Sequence, residues 1–474
     1  MISLFKMGTW AKSEPQTYRN LLLIIFVAFA VRVAIRCYSG AEDFWVNSYG
    51  FFFELARNIA AGNGITFGDG APTAFRVPLY PAFLAAVTFG QKAFLPIALA
   101  QALIGAGTVW CAALLAREMF GSAAAIIAAT ITALYPYYVV HDTALQETSL
   151  YTFLTALAVL LLLRARRSGS GVTGGCAGLT LGAAVLTRAN LAPFAVLAPL
   201  WLTIPGQCRM VPWRQRWWAA LVCAGVLALT VSPWLVRSFL LTGSVTLSTQ
   251  TGFFLWLGNN PYTFSFYPQE SIDRSQRAAL EALTPQDRAE LEASGANDAA
   301  EDQWFRQKGL EYIREHPWRT IVGGFRKIGA AFGWLPSPRR SFWPNLLYAL
   351  SYGPVMILGL WGMWTGRRNW REHLIFYALF VSFAAVTAVF FGHTNYRTYL
   401  DLYLIVFAAG VLEQLRTRYS IAPPRAWQHA ATPRAVAAGS DTGTAAALAG
   451  ARPARQSGWS VDCSVRRANS ASCD

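Results

Sequence analysis

Apolar runs of about 15 to 25 residues recur from Asn20 to Leu415, close to what a helix needs to cross about 30 Å of hydrocarbon. About ten spans emerge: 20–37, 94–116, 122–140, 147–163, 172–187, 190–204, 217–240, 342–364, 373–391 and 399–415. A further apolar stretch, Val77–Phe89, is short and carries Pro78 and Pro81. The pattern predicts an all-α, polytopic transmembrane bundle. Between the seventh and eighth spans, Thr284-Pro285-Gln286-Asp287 predicts a helix start, and Asp298 to Arg314 a second, amphipathic helix. Both are expected to lie on the membrane surface. Beyond about Arg416 the chain is rich in Ala, Arg, Ser, Thr and Gly without apolar periodicity, which predicts a disordered tail over 416–474.

Composition agrees: 54% of residues are hydrophobic and only 14% charged, so lipid is the solvent for most of the core. The formal net charge of +15 raises the question of nucleic acid, but the Lys and Arg sit in short clusters beside apolar runs, as membrane anchoring requires. The bilayer, and no nucleic acid, is the expected partner. Seven Cys are scattered without metal-type spacing, and no His-Xaa-Xaa-Xaa-His or Cys-Xaa-Xaa-Cys occurs. No resident metal or other cofactor is expected, with a divalent cation left open.

The basic clusters decide the topology. If Val77–Phe89 does not cross, Arg117, then Arg164, Arg166 and Arg167, then Arg209, Arg214 and Arg216, then Arg367, Arg368 and Arg371, and the tail from Arg416 all fall on the cytoplasmic side. If it crosses, the Arg164 cluster and every later one moves outside. The non-crossing arrangement therefore stands. Lys6, Lys12 and Arg19 precede the first span, which predicts an uncleaved signal anchor with residues 1–19 in the cytoplasm. The chain divides into this N-terminus, a module 20–240 with an outer loop 38–93, an outer segment 241–340, the helices of 341–415 and the cytoplasmic tail.

The same parity gathers the chemistry on the outer face. Glu42, Asp43, Glu54 and Asp69 lie in the first outer loop, and Asp142 and Glu147 in the turn His141–Glu147. Asp43, Glu54, Asp142 and Glu147 are the catalytic candidates, because carboxylates from separate loops facing one cleft suit general-base activation of a hydroxyl. For Glu147 the plainer alternative is a carboxylate favoured by a helix N-terminus. Arg76, Arg188, Arg237, Lys327 and Arg397 form a cationic set suited to a lipid phosphate, against the plainer alternative of snorkelling to ordinary phospholipid. Arg32 and Arg36 on the first span are expected to snorkel.

Several stretches resemble the GT-C glycosyltransferases that use polyprenyl-phosphate-linked sugars. The nearest branch holds the protein O-mannosyltransferases, the lipid A aminoarabinose transferases and the Rgt-type lipopolysaccharide sugar transferases. The stretches are Glu54-Leu-Ala-Arg-Asn-Ile-Ala-Ala-Gly-Asn-Gly64, Pro72-Thr-Ala-Phe-Arg-Val-Pro-Leu-Tyr-Pro81, Ala133-Leu-Tyr-Pro136 leading to Leu145-Gln-Glu147, Gly178 to Arg188, Ser232-Pro-Trp-Leu-Val-Arg237, and Gly392-His-Thr-Asn-Tyr-Arg397. Each alone is weak, and their order and spacing over about 20–415 carry the likeness. Tyr80 and His393, within these stretches, are the candidate substrate contacts.

The resemblance implies an inverting transfer: an acid of the first outer loop activates the acceptor hydroxyl, and basic residues hold the departing lipid phosphate. It implies that Val77–Phe89 packs at the outer interface and that Glu147 is the acid of the second outer loop. Ser48 stands where the first-loop acid is usual, so Asp43, and after it Glu54, is expected to act instead. The expected partners are a polyprenyl-phosphate-linked sugar donor and an envelope glycan, lipid or protein acceptor. The expected location is a bacterial inner membrane, with the site facing the periplasm and both termini cytoplasmic. Two other functions compete: a lipid-linked sugar transporter or flippase, and a non-catalytic scaffold for envelope assembly.

Overall fold

A computed structural model describes residues 13–46, 49–68, 70–206, 211–294 and 297–420. Ser48, Asp69, Arg209, the first twelve residues and the tail beyond Ser420 lie outside the described residues. In chain order the helices are α1 (Pro15–Val46), α2 (Phe51–Ala60), α3 (Leu79–Thr88), α4 (Phe94–Phe120), α5 (Ser122–Leu134), α6 (Pro136–Thr143), α7 (Thr148–Ser168), α8 (Gly171–Val185) and α9 (Ala192–Thr203). They continue as α10 (Trp213–Thr242), α11 (Thr251–Gly258), α12 (Ile272–Glu281), α13 (Pro285–Ser294), α14 (Asp298–Glu315), α15 (Pro317–Ala331), α16 (Phe342–Thr365), α17 (Trp370–Val389) and α18 (Thr394–Ser420). A two-residue hairpin, β1 (Thr66–Phe67) against β2 (Ala71–Pro72), is the sheet among the described residues.

Each of the ten apolar stretches forms a helix, but fewer reach full membrane length. Six helical stretches are long and apolar enough to cross; one of them, the 48 residues of α16 and α17 with the short 3-10 turn between them, amounts to about two hydrocarbon thicknesses, and α5 and α6, bent by 52°, make a seventh as a pair. Helices α8 and α9, of 15 and 12 residues, span only about 22 and 18 Å at 1.5 Å per residue. The bend follows from Pro136, which begins α6 with no N–H to give to α5. Helix α3 has 10 residues, too short to span. At the far end, Arg416 to Ser420 continue α18, so the expected tail begins later than Arg416.

Close helix packing replaces hydrophobic driving force inside a bilayer. Gly174 and Gly178, four apart on α8, let that helix lie backbone to backbone on α10, where an added Cβ would strike the carbonyl oxygens of Ala219 and Cys223. Several buried charges are paired. Arg32 of α1, expected to snorkel, instead donates from Nε to Asp142 Oδ2 at 2.6 Å and from Nη1 to the carbonyls of Ala28 and Ala133. Arg36 likewise turns inward, to the Thr143 carbonyl and to Asp43 Oδ2 at 2.9 Å.

Charge segregates to two ends. Glu118 takes Arg164 and Arg167, each at 2.7 Å, and Arg166 lies 3.6 Å from Glu372, all at the C-terminal end of α7. Glu147 precedes the N-terminus of the same helix, and 21 residues of α helix amount to about 30 Å, one hydrocarbon thickness.

The segment after α10 has its own small core of Trp256, Leu257, Ala279 and Phe305. Asp302 of α14 accepts the Gly252 and Phe253 N–H groups at the start of α11, at 2.6 and 3.3 Å. Thr284 and Asp287 cap α13 reciprocally, as their spacing predicts.

The Arg32–Asp142 pair makes a test of this framework. Asp142→Leu, which strands a buried guanidinium, should cost about 3–5 kcal/mol, and Arg32→Met with Asp142→Leu should recover most of it. Thermal unfolding in detergent checks this; equal loss in both variants would contradict it.

Candidate active site

The corner between α6 and α7 is held from beneath. Gln101 of α4 donates to the carbonyls of Asp142 and Ala144 at 3.0 and 2.8 Å and accepts the Tyr80 hydroxyl at 2.8 Å, while Leu145 is fully buried. The Tyr49 N–H donates to the Leu145 carbonyl at 3.2 Å, so the start of α2 is tied to the same corner. Glu147 stands at its end, ahead of α7. Opposite it, α8 ends and a 3-10 turn at Ala189–Leu191 begins, with Arg188 extended between them. The Leu79 N–H bonds the Leu186 carbonyl and the Tyr151 hydroxyl bonds Asn190, which fixes this second corner against α3 and α7.

The two corners meet as an ion pair. Arg188 reaches Glu147 Oε1 from Nη2 at 2.8 Å and from Nε at 3.1 Å, and Nη2 also donates to Thr148 Oγ1 at 3.0 Å. Its guanidinium lies over Tyr151 and Tyr396. The side chains are 12% and 15% exposed, dry enough for the pair to matter. Burial alone would raise the Glu147 carboxyl, but Arg188 and then Arg76 outweigh it and hold it below the ordinary glutamate value. Burial would lower Arg188, and Glu147 outweighs that too, raising it. Both are therefore charged at neutral pH. Arg188 Nη1 is buried with no hydrogen-bond partner among the described residues.

Arg76 adds a second cation on the loop after β2. It lies against the rings of Phe51, Phe75 and Phe254, and its Nε is likewise buried without a partner. Five hydrogen bonds set this loop: Arg237 donates to the carbonyls of Thr73 and Ile65 at 2.8 and 2.9 Å, Thr73 Oγ1 to Asp298 at 2.6 Å, Ser248 Oγ to the Phe75 carbonyl at 2.6 Å, and the Thr249 N–H to the Ala74 carbonyl at 3.0 Å.

The other candidates fall outside this group of contacts. Arg237 is occupied by the carbonyls it clamps. Arg397 is fully buried, pairs with Asp401 at 2.9 Å, bonds the Tyr348 hydroxyl and lies 3.6 Å from the centre of the Tyr352 ring. Lys327, fully buried, donates to the carbonyls of Gly258, Val389 and Phe390 and to Asn259 Oδ1, all between 3.2 and 3.4 Å; burial pushes its ammonium down to about 8. Asp142 is committed to Arg32. Asp43 pairs with Arg36 and is 46% exposed, and Glu54 accepts the Gly68 N–H at 3.0 Å. Tyr80 is buried on Gln101. His393 follows α17, burial pushes its imidazole down to about 4, and its Nδ1 accepts the Asn395 N–H, so it is neutral. Among the described residues no three of His, Cys, Asp and Glu stand together as metal ligands would.

Three residues with no sequence signal of their own join the group. Tyr49 and Tyr396 both interact electrostatically with Glu147, Arg188 and Arg76, and the charge of Asp273 acts weakly on Tyr396 and His393. Tyr396 was legible only as part of the stretch Gly392–Arg397, and Tyr49 only as the neighbour of Ser48. Asp273, at the first turn of α12, had no motif around it.

Residues 76–236 match the family model described as dolichyl-phosphate-mannose-protein mannosyltransferase, a stretch that contains Arg76, Glu147 and Arg188. No curated protein matches the chain. Among solved structures, the chain is similar to the oligosaccharyltransferase AglB of Archaeoglobus fulgidus in complex with an inhibitory peptide and a dolichol-phosphate, at TM-score 0.53 and 14% identity over 90% of this chain and 53% of that one. The apo form of the Archaeoglobus fulgidus oligosaccharyltransferase matches at TM-score 0.54 and 16% identity, over 90% and 54%. ArnT of Cupriavidus metallidurans bound to undecaprenyl phosphate matches at 15% identity over 84% and 79%, with a TM-score of 0.35 that bears no weight. The chain thus spans about half the length of the archaeal enzymes and has the GT-C membrane fold.

The pair sets a pH dependence. Because the folded Glu147 carboxyl lies below its unfolded value of about 4.3, the stability it contributes is present above that value and is lost as pH falls through the folded one. The difference in thermal midpoint between the wild type and Glu147→Gln should be constant from about pH 7 to 5 and shrink below about pH 4. A difference independent of pH would show that the carboxylate is not held by charge.

Proposed function

From the GT-C fold, we propose that this protein is an integral-membrane glycosyltransferase that moves a sugar, with inversion, from a polyprenyl-phosphate donor to a hydroxyl of an envelope glycan, lipid or protein. The observation that carries this reading is that two buried guanidinium nitrogens, Arg188 Nη1 and Arg76 Nε, have no partner among the described residues, while both cations act on Glu147, Tyr49 and Tyr396. Buried charged donors are costly unless an acceptor meets them, and a phosphate oxygen meets them best. The dolichol-phosphate bound by AglB supports a donor of this class.

In the reaction an acceptor oxygen attacks the anomeric carbon, the bond from that carbon to the phosphate oxygen breaks, and its electron pair leaves with the lipid phosphate. Arg188 and Arg76 stabilise the charge that gathers there. Glu147, held ionised below the usual range, is a weak base; its part is to fix Arg188 with one edge turned to the phosphate. The acceptor proton goes to a first-loop carboxylate, Asp43 in this reading, with Glu54 as the second choice. The half-exposed Asp43 is the better placed of the two to meet a substrate arriving from water. In this reading the Arg188 site faces the periplasm of a bacterial inner membrane, which the basic residues at the opposite, C-terminal ends of α4 and α7 support through the positive-inside rule.

Arg188→Ala and Glu147→Gln should each lower transfer of labelled sugar from a polyprenyl-phosphate donor by about 10²–10³-fold, with the protein folded and inserted. Asp43→Asn should lower kcat by about 10²–10⁴-fold and leave donor binding unchanged, whereas Glu54→Gln should not. Wild-type transfer by Arg188→Ala membranes would overturn the proposal.

A further inference from the structure

Helix α15 is built for the surface of a bilayer. Trp318, Ile321 and Phe325 recur at helical spacing and are all exposed, and Gly324 seats the helix against Ala388 near the end of the membrane helix α17. Trp334, Phe342 and Trp343 follow it, also exposed, as an aromatic belt at headgroup level requires. Lys327 anchors its inner face in the carbonyl cage described above.

Between α15 and the turn after α11 lies a cavity of about 390 Å³, within the range of small-molecule sites. Its wall from the turn is self-sufficient: Asn260 bonds the Trp256 and Leu257 carbonyls and the Tyr262 N–H, and Thr263 bonds the Leu257 and Asn260 carbonyls. The wall from α15 is not. Arg319 and Arg326, seven residues apart and so on one face, both line the cavity, and neither forms an ion pair among the described residues. Arg326 stacks 4.0 Å from the centre of the Phe264 ring, which fixes the plane of its guanidinium and leaves the N–H edge for an acceptor. Gly323 lies between them; an added Cβ would stand 3.3 Å from the same ring.

We propose that this cavity binds the phosphate of one anionic membrane lipid between Arg319 and Arg326, with the acyl chains against the Trp318–Phe325 face. Two forked cations on a preformed wall recognise a phosphate, and the apolar stripe beside them in a membrane-seated helix selects one carried by a lipid over one free in solution. The site shares no residue with the Arg188 recess, so it does not rest on the transferase reading.

The full chain, purified in a mild detergent, is titrated with dioleoyl phosphatidylglycerol, and bound lipid is counted by native mass spectrometry. The expected result is one phosphatidylglycerol held about ten- to thirty-fold more tightly than by Arg319→Gln with Arg326→Gln, little discrimination by that variant against phosphatidylcholine, and no displacement by millimolar inorganic phosphate. Arg319→Gln alone, which breaks no ion pair, serves if the double variant unfolds and should lose about half of that factor on a logarithmic scale. Equal phosphatidylglycerol binding by wild type and a folded variant overturns the proposal. So does competition by free phosphate, which would make the site one for a soluble anion.

Discussion

A bilayer offers no water to an unpaired charge, and most of the polar architecture of this protein answers that constraint. Arg32 with Asp142 and Arg397 with Asp401 each bring both partners inside the bundle, and Lys327, lacking a carboxylate, is held by carbonyls and an amide instead. Even so, single guanidinium nitrogens stay unmet among the described residues, Arg32 Nη2 and Arg188 Nη1 being two of them. What sets Arg188 apart is its surroundings: an ionised Glu147 and the rings of Tyr151 and Tyr396 at the N-terminal end of α7.

The placement of that end follows from chain geometry. The corner after α6 and the corner after α8 are tied separately, one by Gln101 and the other by Leu79 and Asn190, and the ion pair joins two already rigid pieces. Little rotamer freedom is left to lose when Arg188 meets an anion, so the arrangement is preorganised.

Much of this was legible in the residues, because lipid imposes a strong pattern on composition. Every apolar stretch became helical, and Val77–Phe89 holds a helix too short to cross, although α8 and α9, expected to cross, are short as well. What parity could not give was pairing. Arg32 looks like a snorkelling residue because its partner Asp142 lies more than a hundred positions away, and Arg36 because one of its anchors, the Thr143 carbonyl, is equally remote, although Asp43 stands only seven residues on. Arg237 and Arg397 have the charge and the end-of-helix position of phosphate ligands. Only the fold shows that carbonyls and Asp401 already occupy them. Asp273 was invisible for the opposite reason: an exposed acid in a polar segment carries no signal until the fold brings its charge within electrostatic reach of His393 and Tyr396.

Arg237 holds the first loop through the main-chain carbonyls of Ile65 and Thr73, and Ser248 and Thr249 do the same at Phe75 and Ala74. Backbone carbonyls are common to all residues, so this frame is nearly indifferent to which side chains the loop bears. A side-chain change at Ile65 thus leaves the hold on the loop that carries Arg76 in place. The side chains of this loop can therefore drift without moving its backbone: the fixture does not read what is mounted on it.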